Sequence, residues 1–163
     1  MQSSFFEDMV AAVLALTGED SPVKVRRVLR NFCMLSSDVS AAYDPLYPEV
    51  FEKKNTAYFG RGLVLNKYTG SRGKNGTSDA NAEYVAKVRN VFDNNHVAFQ
   101  PAELGKVDQG GGGTIAYVMA NKAMSVIDSG VAVLSMHAPY EVTSKSDVYE
   151  VYRGYKAFLK DMK

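Results

Sequence analysis

Two residue types that ligate metals stand directly after apolar runs in this sequence. Asp38 follows the run Phe32–Leu35, and His137 follows the run Val131–Leu134. Short apolar runs that end in polar residues predict buried strands, and ligands of open α/β sheets bind beyond the carboxyl ends of strands. A carboxylate oxygen and an imidazole nitrogen are both good zinc ligands. The pair therefore predicts a metal site, with a turn-capping aspartate and a core histidine as the alternative interpretation.

A run of four glycines, Gly110–Gly113, precedes a predicted helix that begins at Thr114. Backbone N–H groups ahead of a helix can bind an anion, helped by the helix dipole. The run lacks the Lys-Ser/Thr pair of a phosphate loop and the strand context of a dinucleotide fingerprint. A tight turn with close backbone packing is the alternative, because glycine accepts backbone angles that other residues do not.

Basic residues surround a second glycine-rich segment, Thr69–Thr77, which we interpret as a turn. Lys67, Arg72 and Lys74 could bind a substrate carboxylate there. Charges on a solvated loop are the alternative explanation. Two further residues of types that can do chemistry lie outside these groups. We interpret His96 as a surface residue and Cys33 as a small core residue.

Helical and strand patterns alternate along the chain, which predicts an α/β fold in a single domain, residues 1–163. Residues 39–60 read as a long irregular segment, and such segments are usually functional or disordered. Apolar residues recur at helical spacing over 5–17, 23–31, 80–93, 114–120 and 146–162, and strands are predicted at 32–35, 62–67, 97–100, 124–127 and 131–134.

Charge and hydropathy exclude several classes of function. There are 19 Lys and Arg and 18 Asp and Glu residues, a formal net charge of +1, which predicts neither nucleic acid nor a membrane surface as partner. No apolar run reaches the roughly 18 residues that span a bilayer. The N-terminal segment has no basic start and is interrupted by Glu7 and Asp8, so we expect no signal peptide and a cytoplasmic location.

Three segments, in this order along the chain, carry a resemblance to a known family. The first is Ser36-Ser-Asp-Val39, and the second is Lys67-Tyr-Thr-Gly-Ser-Arg-Gly-Lys-Asn-Gly-Thr-Ser-Asp-Ala-Asn81. The third consists of two nearby stretches, Gly110-Gly-Gly-Gly-Thr-Ile-Ala116 and Val126-Ile-Asp-Ser-Gly-Val-Ala-Val-Leu-Ser-Met-His-Ala-Pro-Tyr-Glu141. The sequence resembles the C-terminal part of the aspartyl aminopeptidase and aminopeptidase I family of two-zinc metallopeptidases. The resemblance implies part of a mixed-sheet, helix-flanked catalytic domain of the phosphorylase/hydrolase-like fold.

The resemblance also implies roles for individual residues. Asp38 matches a metal ligand of one ion, and His137 matches a ligand of the other. Lys67 and the segment Gly112, Gly113 and Thr114 match regions that bind the peptide substrate. Glu141 is a candidate acceptor for the second ring nitrogen of His137, from its proximity in sequence. The implied cofactor is two zinc ions, with cobalt or manganese as alternatives, and the implied assembly is a homo-oligomer.

The family pattern is present only in part. Such enzymes take further ligands from a His-x-Asp motif and a Glu-Glu pair, whose first Glu is the general base. This sequence contains neither motif, so no catalytic residue is assigned, and we expect its first residue to follow closely the position of the base. The prediction is a zinc aminopeptidase of which this chain supplies half of the metal site and is inactive alone. A non-catalytic assembly or anion-binding module is the alternative.

Overall fold

The computed structural model describes residues 3–19, 21–71, 75–106 and 113–162. Nine strands and five α-helices are defined in these residues, together with a 3₁₀ turn at Pro48–Val50. The helices are α1 (Phe5–Leu16), α2 (Pro22–Arg30), α3 (Ala82–Asn94), α4 (Ala116–Ala120) and α5 (Lys145–Asp161). The strands are β1 (Cys33–Ser37), β2 (Ser40–Ala41), β3 (Leu63–Asn66), β4 (Tyr68–Ser71), β5 (Asn75–Asp79), β6 (Phe99–Ala102), β7 (Ser125–Gly130), β8 (Ala132–Leu134) and β9 (Val142–Thr143).

A four-stranded mixed sheet with the order β1-β7-β3-β6 forms the centre of the molecule. β1 pairs with β7 in parallel and β3 pairs with β6 in parallel, whereas β3 and β7 are antiparallel. β2, β8 and β9 form a second sheet, and β4 and β5 form a hairpin. The predicted α/β class and the mixed, helix-flanked sheet are therefore confirmed.

The main core lies between one face of the sheet and the helices α3 and α5. Its fully buried members include Leu63 and Ile127 from the sheet and Val88 and Phe92 from α3. The apolar side chains of α3 recur at helical spacing, and its first turn is capped by Asn81, which accepts from the Tyr84 N–H at 2.7 Å. A smaller cluster of alanine and valine residues packs on the opposite face.

The segment between β2 and β3 is ordered by its own contacts. Asp147, at the start of α5, is buried and accepts hydrogen bonds at 2.8 Å from the N–H groups of both Gly60 and Gly62. A Cβ at Gly62, whose φ is +85°, would lie 2.1 Å from the Ala98 carbonyl oxygen, so no side chain fits there. The predicted irregular segment is thus tied to the core at its end.

Several boundaries differ from those predicted. The residues Asp128 to Gly130, interpreted as a break between two apolar runs, belong to β7. The glycine-rich segment after Lys67 contributes two strands, β4 and β5, rather than only a turn, while Arg72 and Lys74 lie outside the described residues. Cys33 is exposed rather than buried, because β1 is an edge strand of the sheet.

None of the helices in residues 3–19, 21–71, 75–106 and 113–162 is both long and apolar enough to cross a lipid bilayer.

Candidate metal and substrate site

Asp38 lies at a bend, where β1 passes into β2. Its N–H donates to the Ser129 carbonyl at 3.3 Å, and its Oδ1 accepts from the Val39 N–H at 2.9 Å. A Cβ built on Gly130 would lie only 1.7 Å from the Asp38 carbonyl oxygen. The backbone of β7 therefore approaches Asp38 at a distance that only glycine permits, and this contact positions the half-buried carboxylate at the strand end.

A buried carboxyl group, Asp128, lies behind this bend. It is 2% exposed, and its Oδ2 accepts from the Thr114 hydroxyl at 2.6 Å. The Thr69 hydroxyl oxygen lies 3.3 Å from that of Thr114. Burial raises the pKa of Asp128 above its ordinary value, the hydroxyls of Thr114, Ser36 and Thr69 oppose this, and the charge of Asp38 raises the pKa further.

Further polar groups of neighbouring strands complete the buried cluster. The Ser40 hydroxyl donates to Asn66 Oδ1 at 3.2 Å, and the Tyr155 hydroxyl of α5 donates to the Ser129 carbonyl at 2.6 Å. Burial raises the pKa of Tyr155, although its bonds to Ser37 and Ser129 oppose the shift. Several buried atoms in the described residues have no hydrogen-bond partner, and Asp128 Oδ1, Asn66 Nδ2 and Ser129 Oγ of this cluster are among them. The strand-end region is therefore polar and has hydrogen-bonding capacity to spare.

His137 lies in the turn that joins β8 to β9. Ser135 and His137 both have positive φ, 56° and 67°, in a region that most side chains avoid. The turn is closed by the bond from the Ala138 N–H to the Ser135 carbonyl at 3.0 Å. His137 is exposed, so its imidazole is accessible to a metal ion or to another polypeptide.

Glu141 holds this turn through the main chain. Its Oε1 accepts from the His137 backbone N–H at 2.6 Å. The sequence predicts a contact with the second ring nitrogen of His137, and the described hydrogen bonds place the carboxylate on the amide instead. Glu141 therefore fixes the backbone that carries the imidazole.

The fold brings the two ligand segments onto adjacent strands. β2 pairs in parallel with β8, in the register Ser40 with Ala132 and Ala41 with Val133. Asp38 precedes β2 and His137 follows β8, so the two residues flank this pair at its opposite ends. In the part of the chain that the structure describes, no three His, Cys, Asp or Glu residues form a group that could hold a metal.

An open cleft of about 230 Å³ runs beside the β2–β8 pair. Its lining is mainly apolar, with Asp44 as the charged member, and it ends at Ser135 and Met136 next to His137. The lining residues are Ala41, Ala42, Asp44, Tyr47, Val50, Phe51, Val133, Leu134, Ser135 and Met136. Mainly apolar concave surfaces with a few polar groups are typical of ligand sites.

The predicted substrate residues fall into two groups. Lys67 is half-exposed and pairs with Asp79, so its ammonium group already has a carboxylate partner. Gly113 is exposed, whereas Thr114 is buried and bonds to Asp128. Gly112 lies outside the described residues. The helix that follows, α4, has only five residues, which gives little support to the anion-binding alternative.

Neither Asp128 nor Asn66 is among the residues predicted from the sequence, and both belong to the buried polar cluster. Both are polar residues inside strands whose neighbours are apolar, as in Val126-Ile127 before Asp128. A buried polar residue needs a partner, so a carboxylate or amide inside an apolar strand is the signal that points to such a cluster.

The donor atoms present suit zinc, and their number is short of a complete site. Asp38 offers a carboxylate of which one oxygen is engaged by a neighbouring N–H, and His137 offers an exposed imidazole. Catalytic zinc sites generally have three protein ligands. Asp38 and His137 fit the metal chemically and can supply only part of its coordination.

Comparison with known proteins places this arrangement in a family. Residues 1–159 match the family model described as Aminopeptidase I zinc metalloprotease (M18). The curated relative "Probable M18 family aminopeptidase 1" of Clostridium acetobutylicum is 59% identical over 161 residues, which are 99% of this chain and 35% of the relative. Its namesake in Thermotoga maritima is 43% identical over 162 residues, 99% of this chain and 36% of the relative.

Solved structures give the same result. Aminopeptidase I from Clostridium acetobutylicum superposes with a TM-score of 0.87 at 56% identity, covering 97% of this chain and 34% of that chain. The M18 aminopeptidase from Thermotoga maritima superposes with a TM-score of 0.89 at 44% identity, covering 96% and 35%. The chain belongs to the M18 family of zinc metalloproteases, as the resemblance predicts, and it spans about a third of the length of these relatives.

Proposed function

We propose that this chain supplies Asp38 and His137 to a two-zinc aminopeptidase site, one residue to each ion. The observation that carries the proposal is the parallel β2–β8 pair, which Asp38 precedes at one end and His137 follows at the other, together with the open cleft beside it that ends next to His137. When bound, zinc would supply Lewis acidity for a peptide carbonyl and an activated water. Cobalt or manganese are alternative metals in this proposal.

The residues of this chain have defined tasks in that site. Gly130 fixes the Asp38 backbone, and Glu141 fixes the His137 backbone. The cleft beside β8 is suited to an N-terminal peptide segment, whose apolar side chain would pack on its walls. Thr114, bonded to Asp128, orients the segment that begins at Gly113 along the substrate.

The further metal ligands and the general base that such a site requires are not found in this sequence. It contains no Glu-Glu pair and no His-x-Asp motif, and His96 and His137 are its two histidines. We therefore propose that the chain alone has little or no peptidase activity, and that the complete protein is a homo-oligomeric peptidase of the cytoplasm.

Zinc binding and peptidase assays of the purified chain test this proposal. Titration with zinc should show weak binding that is reduced further in Asp38→Ala and in His137→Ala, because each variant removes one of two donors. Asp93→Ala, an exposed carboxylate on α3, is the control and should leave zinc binding unchanged. Equal zinc binding by all four proteins would exclude the assigned ligands.

A peptidase assay tests the proposal that this chain supplies only half of the metal site. Aminoacyl nitroanilides should not be hydrolysed by the chain alone with zinc, cobalt or manganese. Hydrolysis that is lost to a chelator and restored by zinc would show that two ligands are sufficient for peptidase activity without a Glu-Glu pair. The proposal that this chain supplies only half of the metal site would then be wrong.

A further inference from the structure

The cleft beside the β2–β8 pair carries charge of one sign. Asp44 is the charged residue in its lining, and among the described lining residues none is lysine, arginine or histidine. Most of the other lining side chains are aliphatic or aromatic. The volume of about 230 Å³ is smaller than the roughly 300 Å³ at which sites for drug-sized ligands begin, which suits one amino-acid side chain. The cleft therefore combines apolar walls with one negative charge.

The Asp44 carboxylate is held by a turn and lacks a cationic partner. Its Oδ1 accepts from the Leu46 N–H at 2.8 Å, and the Asp44 carbonyl accepts from the Tyr47 N–H at 3.2 Å. Asp44 is half-buried, and in the described part of the chain no basic side chain lies within salt-bridge distance of it. A carboxylate that is partly removed from water is stabilised by a neighbouring cation. Asp44 can therefore receive a cation that enters the cleft.

Aromatic rings form the wall next to this carboxylate. Tyr47 and Phe51 line the cleft, and Phe51 packs against Tyr43 in a T-shaped arrangement with 5.6 Å between the ring centroids. The Lys53 ammonium group lies 5.7 Å from the centroid of the Tyr43 ring. Aromatic faces attract cations and also cover the methylene groups of long side chains. This wall suits a side chain that carries a positive charge on a methylene stem.

The opposite wall is built from β8 and the turn that follows it. Val133 and Leu134 are successive residues of β8, and Met136 lies in the turn, directly before His137. An N-terminal residue whose backbone lies at the proposed metal site therefore has this cleft beside it. The walls accept a methylene stem as they accept any aliphatic side chain. The charge of Asp44 then distinguishes one long side chain from another.

An acidic side chain does not suit this cleft. Its carboxylate would lie near Asp44, and two like charges at short distance repel each other. Lys67, the basic residue that the sequence predicts for substrate binding, pairs with Asp79, so its charge is already compensated.

We propose that the cleft binds the side chain of an N-terminal lysine or arginine, with the methylene stem between the walls and the cationic tip at Asp44. This inference rests on the proposed function, because it takes the cleft to be the side-chain site of a peptidase. Lysine and arginine bury their stems along apolar surface and keep the charged tip beside polar groups. The substrate class is thus peptides with a basic N-terminal residue, and Asp44 determines that specificity.

Binding of amino-acid amides to the metal-free chain tests this inference. The probes are L-lysinamide and L-norleucinamide, which share the same carbon stem and differ in the ε-ammonium group. NMR titration follows the backbone amides of Leu46 and Met136, which lie beside and within the cleft. We expect lysinamide to bind about fivefold more tightly than norleucinamide at low salt, the size of a partly exposed ion pair. The difference should shrink as salt screens the charges.

Asp44→Asn is the variant that isolates the charge. Its amide oxygen can still accept from the Leu46 N–H, so the turn is retained, and the variant should bind both amides with equal affinity. Glu49→Gln is the matched control, because Glu49 is an exposed acidic residue in the 3₁₀ turn of the same segment and does not line the cleft. This control should keep the preference for lysinamide.

Several results would overturn the inference. They are the absence of detectable lysinamide binding at millimolar concentration, equal affinity of the unchanged chain for both amides, and the same loss of preference in Asp44→Asn and Glu49→Gln. Tighter binding of the α-amide of glutamic acid would assign an acidic substrate class instead. Norleucinamide that binds as tightly as lysinamide, and no longer binds after Nα-acetylation, would place the α-ammonium group at Asp44.

The proposed function fails on a different measurement. Zinc binding that is unchanged in Asp38→Ala and His137→Ala would contradict the metal site, whereas the amide titration contains no metal. A lost preference for lysinamide with zinc binding that still depends on Asp38 and His137 would overturn only the assignment of the side-chain site.

Discussion

The two proposed metal ligands are held in different ways. Asp38 lies on the central sheet, where Gly130 contacts its backbone and Asp128 forms a buried hydrogen-bonded cluster behind it. His137 lies in an exposed turn with positive φ, held by the bond from the Ala138 N–H to the Ser135 carbonyl and by the contact from Glu141. Backbone strain of this kind is concentrated at functional sites.

This difference suggests that the two ligands acquire their final geometry at different stages. The contacts of Asp38 with Ser129 and Gly130 of β7 depend on the folding of the sheet. The His137 turn has few contacts, and local stability is low where contacts are few. Each of the following changes tests one side of this comparison, and they are given in order of decreasing expected effect.

Gly130→Ala should have the largest effect, because its Cβ would lie 1.7 Å from the Asp38 carbonyl oxygen. We expect the free energy of unfolding to fall by about 3 kcal/mol or more, since backbone atoms on both strands must move. Chemical denaturation measures the change. Gly113→Ala is the control, because no atom lies within 4 Å of its Cβ, and it should change stability by less than about 0.5 kcal/mol. Similar values for the two variants would show that the strand bend is adaptable.

Asp128→Ala should cause the second-largest loss of stability. It removes the acceptor of the Thr114 hydroxyl and leaves that buried group without its 2.6 Å partner. The expected loss is about 2 kcal/mol, the cost of an unsatisfied buried polar group. Thermal unfolding measures it, with the exposed Asp93→Ala as control. An unchanged melting temperature would mean that the buried cluster does not support the Asp38 side.

Asp128→Asn should alter the pH dependence of stability. The pKa of Asp128 is raised in the folded protein, chiefly by burial, so the folded state holds its proton to higher pH than the unfolded chain does. Its contribution to stability is therefore present at low pH and falls as the pH rises from the unfolded pKa through the folded one. Without metal, the variant should gain stability relative to the unchanged chain over this interval. A constant difference between pH 4 and pH 7 would contradict the raised pKa.

Glu141→Gln should have a smaller effect, confined to the His137 turn. The amide oxygen can still accept from the His137 N–H, but the bond loses its charge assistance, and about 0.5 kcal/mol of stability should be lost. Hydrogen exchange of the His137 amide should accelerate, whereas amides of β7 should be unchanged. Faster exchange throughout β7 would show that the turn and the sheet open together.

His137→Gly should stabilise the chain slightly. Glycine adopts φ near 67° without the steric cost that histidine has there, so stability should rise by about 0.5 kcal/mol while zinc binding falls. His137→Ala retains the strained backbone and should show the loss of zinc binding without the gain. Equal stability of the two variants would mean that the turn relaxes around a side chain.

Local patterns predicted the elements whose apolar spacing is regular. The ranges expected for α1, α3 and α5 agree with the observed helices within a few residues, and β1 ends just before Asp38 as predicted. The start of α3 was harder to place, since Asn81 caps the helix and its first residue is Ala82, whereas the predicted range begins at residue 80. Apolar periodicity describes the middle of an element better than its end.

The polar parts of the sheet were not predictable in the same way. Asp128 follows one predicted apolar run and was interpreted as part of the break before the next, yet it lies in β7 with Thr114 as its partner from elsewhere in the chain. Cys33 was predicted to be a small core residue, yet it is exposed because its strand lies at the edge of the sheet. Burial depends on neighbours that are distant in sequence.

The sequence by itself determined the family, the α/β class, and that no Glu-Glu pair or His-x-Asp motif is present in it, because these follow from residue types and their order. The tertiary structure decided how Asp38 and His137 are held. Parallel pairing of β2 with β8 joins the segments that carry them, with Asp38 and His137 at opposite ends of the pair, and the close contact at Gly130 arises only when distant backbones meet. Local propensities do not contain that information, since the contacts join residues that are far apart in the chain.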